Sequence, residues 1–286
     1  MIYRLRNGLR KFIKENIKTL TDVYEPTVPN KQTEKPYAVI EQLSDTNTQQ
    51  GAIGSERKIT IWINNDRTSF KEIDVLQDEI IDAVNFKPIK DDDTNESFTC
   101  IFKGVSGSDI VNADWDMISR PLSFSVIALN KSDNYTSDKQ VEIVSRYLEK
   151  ILENKQNKRI KVYKDYWNQN LTIPSVLCRV IKTERKNKLR GLFEIDKTFK
   201  IHVVDKDMDR VIQILERVED KLISDSQIIS DNNIKLTLAK LFEDRDSDMF
   251  TVGQLTATFR FYGRPKKSIK TIDRIYDDKG LKIRKE

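Results

Sequence analysis

The stretch "DKTFKIHVVDKDMDRVIQILERVEDKL", residues 196–222, decides the fold, because the chain has already written it once as "ERKITIWINNDRTSFKEIDVLQDEIIDAV", residues 56–84. Each version is an alternating strand, an acidic turn and an amphipathic helix. The strands "ITIWI" (59–63) and "FKIHV" (199–203) lie 140 residues apart. In the helices, Ile73, Leu76, Ile80 and Val84 fall over Val211, Ile214, Val218 and Leu222, 138 apart. Period-two alternation predicts a strand with one buried face, and spacing near 3.6 predicts a helix with one apolar stripe.

Working outward, the correspondence continues at nearly constant offset. Leu5, Leu9, Phe12 and Ile13 mark an N-terminal helix, repeated by Val144, Leu148, Ile151 and Leu152 at an offset of 139. A short strand follows each helix with the same dipeptide, Val23-Tyr24 and Val162-Tyr163. Then a proline opens a strand, Pro36 in "KPYAVIEQL" and Pro174 in "IPSVLCRVI". "FTCIF" (98–102) answers "LTLAKLF" (236–242), and "PLSFSVIAL" (121–129) answers "QLTATFRFY" (254–262). Seven elements in one order mean a tandem duplication.

Each copy reads helix, strand, strand, strand, helix, strand, strand. One helix interrupting a run of strands predicts an α+β fold, a mostly antiparallel sheet packed by two helices. The expected boundaries are a first module at 1–130, a linker at 131–140 within "LNKSDNYTSDKQ", a second module at 141–263 and a basic extension at 264–286. "DDDTNES" (91–97) and "DSQIISDNN" (225–233) are expected to be corresponding loops after the second helix of each copy.

Composition bounds the function. Of 286 residues, 33% are charged, with 50 basic and 45 acidic, a net charge of +5 that does not by itself imply nucleic-acid binding. No apolar run approaches the roughly 20 residues that span a bilayer, so a membrane is not expected as a partner. The opening "MIYRLRNGLRKFIKENI" lacks the continuous apolar core of a signal peptide and is expected to be a packed helix. Cys100 and Cys178 sit in apolar strand runs and are expected to be buried free thiols.

No residue pattern points to catalysis. His202 is the single histidine and takes the slot of Trp62 in the other copy, so a packing or surface role on the sheet is expected. No zinc-ligand spacing, phosphate-binding glycine run or nucleophile elbow occurs, and only nine glycines are present. Asp207 precedes a helix and reads as its N-cap; Asp66, Thr68 and Ser69 precede the other. "DRDSD" (244–248) lacks the glycine and distal glutamate of a calcium loop. The chain is expected to be no enzyme and to hold no cofactor or metal.

Two basic stretches are the candidate contact sites. "KTERKNKLRG" (182–191) carries Lys182, Arg185, Lys186, Lys188 and Arg190 and is expected to be a projecting hairpin loop, where the first copy has the nearly neutral "SDTNTQQGAIG" (44–54). The C-terminal extension 263–286 holds nine basic against four acidic residues, beginning with Arg264, Lys266, Lys267 and Lys270. Both stretches suit an acidic partner or a nucleic-acid backbone, which needs only lysine and arginine.

The order of elements resembles the tail terminator (tail completion) proteins of long-tailed bacteriophages. "LRNGLRKFIKENIKTLTDVYEPTVPNKQTEKPYAVI" through "INND", about residues 5–66, carries the resemblance best. The second copy follows the same order, although "IPSVLCRVI" lacks the aromatic after its proline. The resemblance implies a ring at the head–tail junction of a virion, assembled in the host cytoplasm, capping the finished tail tube. Its expected partners are further copies of itself, the tail tube protein, the tail sheath, the head–tail connector or stopper, and DNA in the lumen. A duplicated chain, as in large contractile-tailed phages, leaves two assemblies open: three chains as a pseudo-hexamer, or six with one module outside the ring. The other reading from the residues is a nucleic-acid-binding accessory protein using 182–191 and the basic tail.

Overall fold

The computed structural model describes residues 4–46, 51–67, 70–91, 95–129, 137–153, 160–189, 192–263, 275–276 and 282–283. The first module runs α1 (Arg4–Asn16), β1 (Asp22–Tyr24), β2 (Tyr37–Thr46), β3 (Ser55–Asp66), α2 (Phe70–Val84), β4 (Pro88–Asp91), β5 (Glu96–Val105), β6 (Ile110–Asn112) and β7 (Met117–Leu129). The second runs α3 (Lys139–Leu152), β8 (Lys161–Lys164), β9 (Ser175–Leu189), β10 (Leu192–Val204), α4 (Met208–Asp225), β11 (Gln227–Ile229), β12 (Lys235–Glu243) and β13 (Leu255–Gly263). A small pair, β14 (Ile275–Tyr276) with β15 (Lys282–Ile283), follows.

The two sheets have one topology. The first is ordered β1-β2-β3-β7-β5-β4, with β6 on the end of β7, and the second β8-β9-β10-β13-β12-β11. In each, the first pair is parallel and every other pair antiparallel. Register repeats residue by residue: Val39↔Trp62 answers Leu177↔His202, and Cys100↔Val126 answers Leu238↔Phe259. Both prolines that open β2 and β9, Pro36 and Pro174, follow cis peptide bonds. Even a bulge is shared, since β2 skips Leu43 against β3 and β9 skips Ile181 against β10. The duplication read from the sequence is therefore an α+β module built twice.

The cores follow the periodicities. In β3 the odd positions Ile59, Ile61 and Ile63 are fully buried and meet Ile73, Leu76, Ile80 and Val84 of α2. Leu9 and Ile13 of α1 are fully buried in the same cluster, so the basic N-terminal helix packs onto the fold through its apolar stripe. In the second module, Phe199, Ile201 and Val203 meet Val144 and Leu148 of α3 and Val211 and Val218 of α4. Asp138 caps α3 by accepting from the Gln140 N–H at 2.9 Å, and Asp207 caps α4 by accepting from the Asp209 N–H at 3.0 Å. Thr68 and Ser69, the expected caps of α2, lie outside the described residues.

Three expectations change. A further strand follows the second helix in each copy: β4 in the first, reaching the expected loop 91–97 only at Asp91, and β11 inside 225–233 in the second. α3 begins at Lys139, and residues 130–136 of the expected linker lie outside the described residues. Most consequentially, the sheets do not each have a single buried face. The faces turned away from the helices meet in a third apolar cluster that joins the modules.

Candidate contact surfaces

The junction between modules is built around Trp167, in the turn between β8 and β9, which is fully buried. Its backbone N–H donates to the carbonyl of Ala52 in the first module at 2.9 Å. Its indole Nε1–H donates to the Phe250 carbonyl at 3.0 Å, so the one polar atom of the ring is satisfied. Ala52 and Ile53 of the β2–β3 turn, Ile101 of β5, and Ile127 and Leu129 of β7 supply the first module's side. Tyr163, Leu177, Val204 and Phe250 supply the second. Phe86 stacks on Phe250 across the junction at 6.0 Å between centroids, and Lys103 pairs with Asp248 at 3.4 Å.

This junction explains the histidine. His202 is fully buried beside Trp167, their ring centroids 6.1 Å apart. Its Nδ1 lies 3.0 Å from the Met249 carbonyl, which can only accept, so Nδ1 carries the proton. Nε2 then accepts from Arg179 Nε at 3.0 Å. Burial first, and the Arg179 charge second, pull the imidazole pKa down to about 3. In the equivalent slot Trp62 donates to Glu41 at 2.9 Å, and Glu41 stands where the second copy has Arg179. Of the expected packing or surface role, His202 has the packing one, and the tryptophan-for-histidine exchange falls on the sheet face that meets the other module. Gly253, with φ +84°, lies so close that a Cβ there would sit 2.8 Å from the His202 ring.

The carboxylates of the turns serve the fold. Asp248 accepts from the Phe250 and Thr251 backbone N–H groups and from the Thr251 hydroxyl at 2.8–3.0 Å. Burial opposes its ionisation, but these bonds and Lys103 hold its pKa below the usual value. Asp244 accepts from Ser247 Oγ at 2.7 Å, and Asp205 lies 3.3 Å from Arg210. Among the described residues no group of three or more His, Cys, Asp or Glu side chains is placed to hold a metal ion. Burial pushes both thiols, Cys100 and Cys178, well above the ordinary range. No helix among the described residues is long and apolar enough to cross a membrane.

Residues 182–189 of the basic stretch are strand rather than loop. Lys182, Arg185, Lys186 and Lys188 lie in β9, which runs to Leu189 and pairs with β10 as a long hairpin. All four are exposed, while Arg190 lies outside the described residues. Three of the cations are answered: Lys182 by Glu184 at 2.8 Å, Lys186 by Asp196 at 3.9 Å and Lys188 by Glu194 at 3.4 Å. Glu194 and Asp196 are nearly buried under this charged ladder. Arg260 of β13 grips Asp196 with two hydrogen bonds, 2.8 and 2.9 Å, which hold that carboxyl below its usual pKa. The tail residues Arg264, Lys266, Lys267 and Lys270 lie outside the described residues.

Sequence reasoning missed Trp167 and Phe250. Their signal was an aromatic inside each of two polar turns, "KDYWNQN" (164–170) and "DSDMFTVG" (246–253), which solvated turns do not need.

No protein-family model matches the chain, and no curated protein matches it. Among solved structures it is similar to a chain of the virion of a native gene transfer agent particle, at 14% identity and a TM-score of 0.34. The alignment covers 44% of this chain and 98% of the other. A similarity at that level carries no argument about function.

Proposed function

We propose that this chain is a structural virion protein, a tail terminator that forms a ring on the end of the tail tube and joins it to the head connector. The observation that carries the reading is the resemblance of element order over residues 5–66, met a second time in residues 139–263 with the same strand order and register. A protein that works by surface complementarity profits from a duplicated module, since one copy can keep an old contact while the other gains a new one. The chain then needs no cofactor and performs no reaction. In keeping with this, His202 is buried, neutral and committed on both nitrogens, and both cysteines are buried.

The nucleic-acid reading has less support, because Asp196 and Glu194 already answer Lys186 and Lys188 on the hairpin. Negative-stain imaging of the purified chain, alone and mixed with tail tubes, tests the proposal. Rings, and tubes capped at one end, are expected; monomers that never sit on a tube end would contradict it.

A further inference from the structure

The two modules share a groove between the first helix and the outermost strand, but they line it differently. In the first module the groove between α1 and β4 measures about 410 Å³ and carries Arg10, Lys11, Lys14 and Lys90 against Asp91, with Asp22 pairing Lys14 from beside it at 3.0 Å, so cations remain in excess. Helix and strand cross closely there, since a Cβ on Gly8 would lie 3.2 Å from the Asp91 Cβ. In the second module the groove between α3 and β11, about 370 Å³, mixes Arg146 and Lys150 with Asp225 and Asp231. One groove is thus cationic, and its equivalent is balanced.

The helices diverge in the same way. Of the described side chains of α1, Arg6, Arg10, Lys11 and Lys14 are basic and only Glu15 is acidic. In α2, Glu72, Asp74, Asp78, Glu79 and Asp82 stand against Lys71 on the helix and Arg120 of β7, which pairs with Asp74, so Asp78 and Asp82 are the acids left to the outer face. Asp74, Asp78 and Asp82 recur at every fourth position on the solvent side, because Ile73, Leu76, Ile80 and Val84 hold the opposite stripe in the core. Phe70 and Val75, about half exposed, sit among these acids. The second module's helices α3 and α4 interleave both signs.

We propose that the basic α1–β4 groove of one copy receives the acidic outer face of α2 from a second copy. The inference rests on the ring reading above and names its contact. α1 and α2 pack side by side over the first sheet, yet the cationic groove opens between α1 and β4 and the acids line α2, so the contact joins two different patches of neighbouring copies. Repeated contacts of that kind close into a ring when the rotation permits. Charge complementarity sets the pairing and its orientation, while Phe70 and Val75 supply apolar anchors.

Charge reversal tests it. Arg10→Glu with Lys14→Glu reverses the groove, and Asp78→Lys with Asp82→Lys reverses the helix; the four side chains are exposed or half-exposed, so circular dichroism should show the fold intact. Light scattering of each purified chain reads assembly. Either pair alone is expected to weaken association by on the order of tenfold or more, and all four together to restore it. If both pairs assemble like the unsubstituted chain, the groove is not the contact and the ring reading survives. If the unsubstituted chain is itself monomeric at every concentration, the ring reading fails and this contact fails with it. Loss of DNA retention by the groove variant with assembly unchanged would instead assign the groove to phosphate and overturn the proposal.

Discussion

The same hairpin has two fates in this molecule. In the first module β2 and β3 pass a bulge at Leu43, and their turn brings Ala52 and Ile53 onto Trp167 of the second module. In the second, β9 and β10 pass the equivalent bulge at Ile181 and then run on as paired strands whose outer face is a ladder of Lys186, Lys188, Glu194, Asp196 and Arg260. Backbone pairing is kept through the bulge; what differs is whether the end of the hairpin is apolar and covered or charged and solvated. A duplicated fold thus commits one hairpin to holding the chain together, while its twin's basic residues stay exposed.

Removing the inward contact should have the largest effect. Trp167→Ala takes a fully buried indole out of the junction and should cost about 3–5 kcal/mol, read by urea denaturation. It should also separate the unfolding of the modules into two transitions, whereas a single unchanged transition would deny the junction its role. Gly253→Ala comes next, because the new methyl meets the His202 ring at 2.8 Å and φ is +84°. A loss of about 2–4 kcal/mol is expected in the same measurement.

The histidine sharpens the comparison through pH. Unfolded, its imidazole protonates near 6.5; folded, near 3. Between these values the unfolded state binds more protons, so stability falls as pH falls, by up to about 1.4 kcal/mol per unit. His202→Gln should remove that component below pH 6.5 and leave the slope above it unchanged. The outward hairpin responds differently. Glu194→Gln with Asp196→Asn leaves Lys186, Lys188 and Arg260 unanswered, costing about 1–3 kcal/mol and raising retention on DNA at low salt, with steep release as salt rises. Unchanged retention would mean that the ladder does not mask these cations. Lys103→Ala, which breaks only the half-exposed pair with Asp248, should cost about 1 kcal/mol.

What could be read from the sequence was what periodicity encodes. Ile59, Ile61 and Ile63 announce a strand with one core face, and Val211, Ile214, Val218 and Leu222 announce a helix stripe, so the repeated module was legible before any coordinates. β4 and β11 were not, because "PIKD" and "QII" are too short to show alternation and owe their pairing to β5 and β12. The junction escaped for another reason. Leu177, Val204 and Ile127 look like ordinary inward strand residues, and only tertiary placement shows that they face the other module. The basic residues of 182–188 were legible as an exposed charged stretch, but not their partners, since Glu194 and Asp196 lie beside them only once β9 pairs with β10.

The central claim is that this duplicated module ends a growing tube. The direct measurement is the length of tail tubes polymerising from purified tube subunits with and without the chain. Added well below the tube subunits in number, it should stop elongation and leave short tubes capped at one end. Tubes that grow to the same lengths in its presence, with bare ends, would contradict the account.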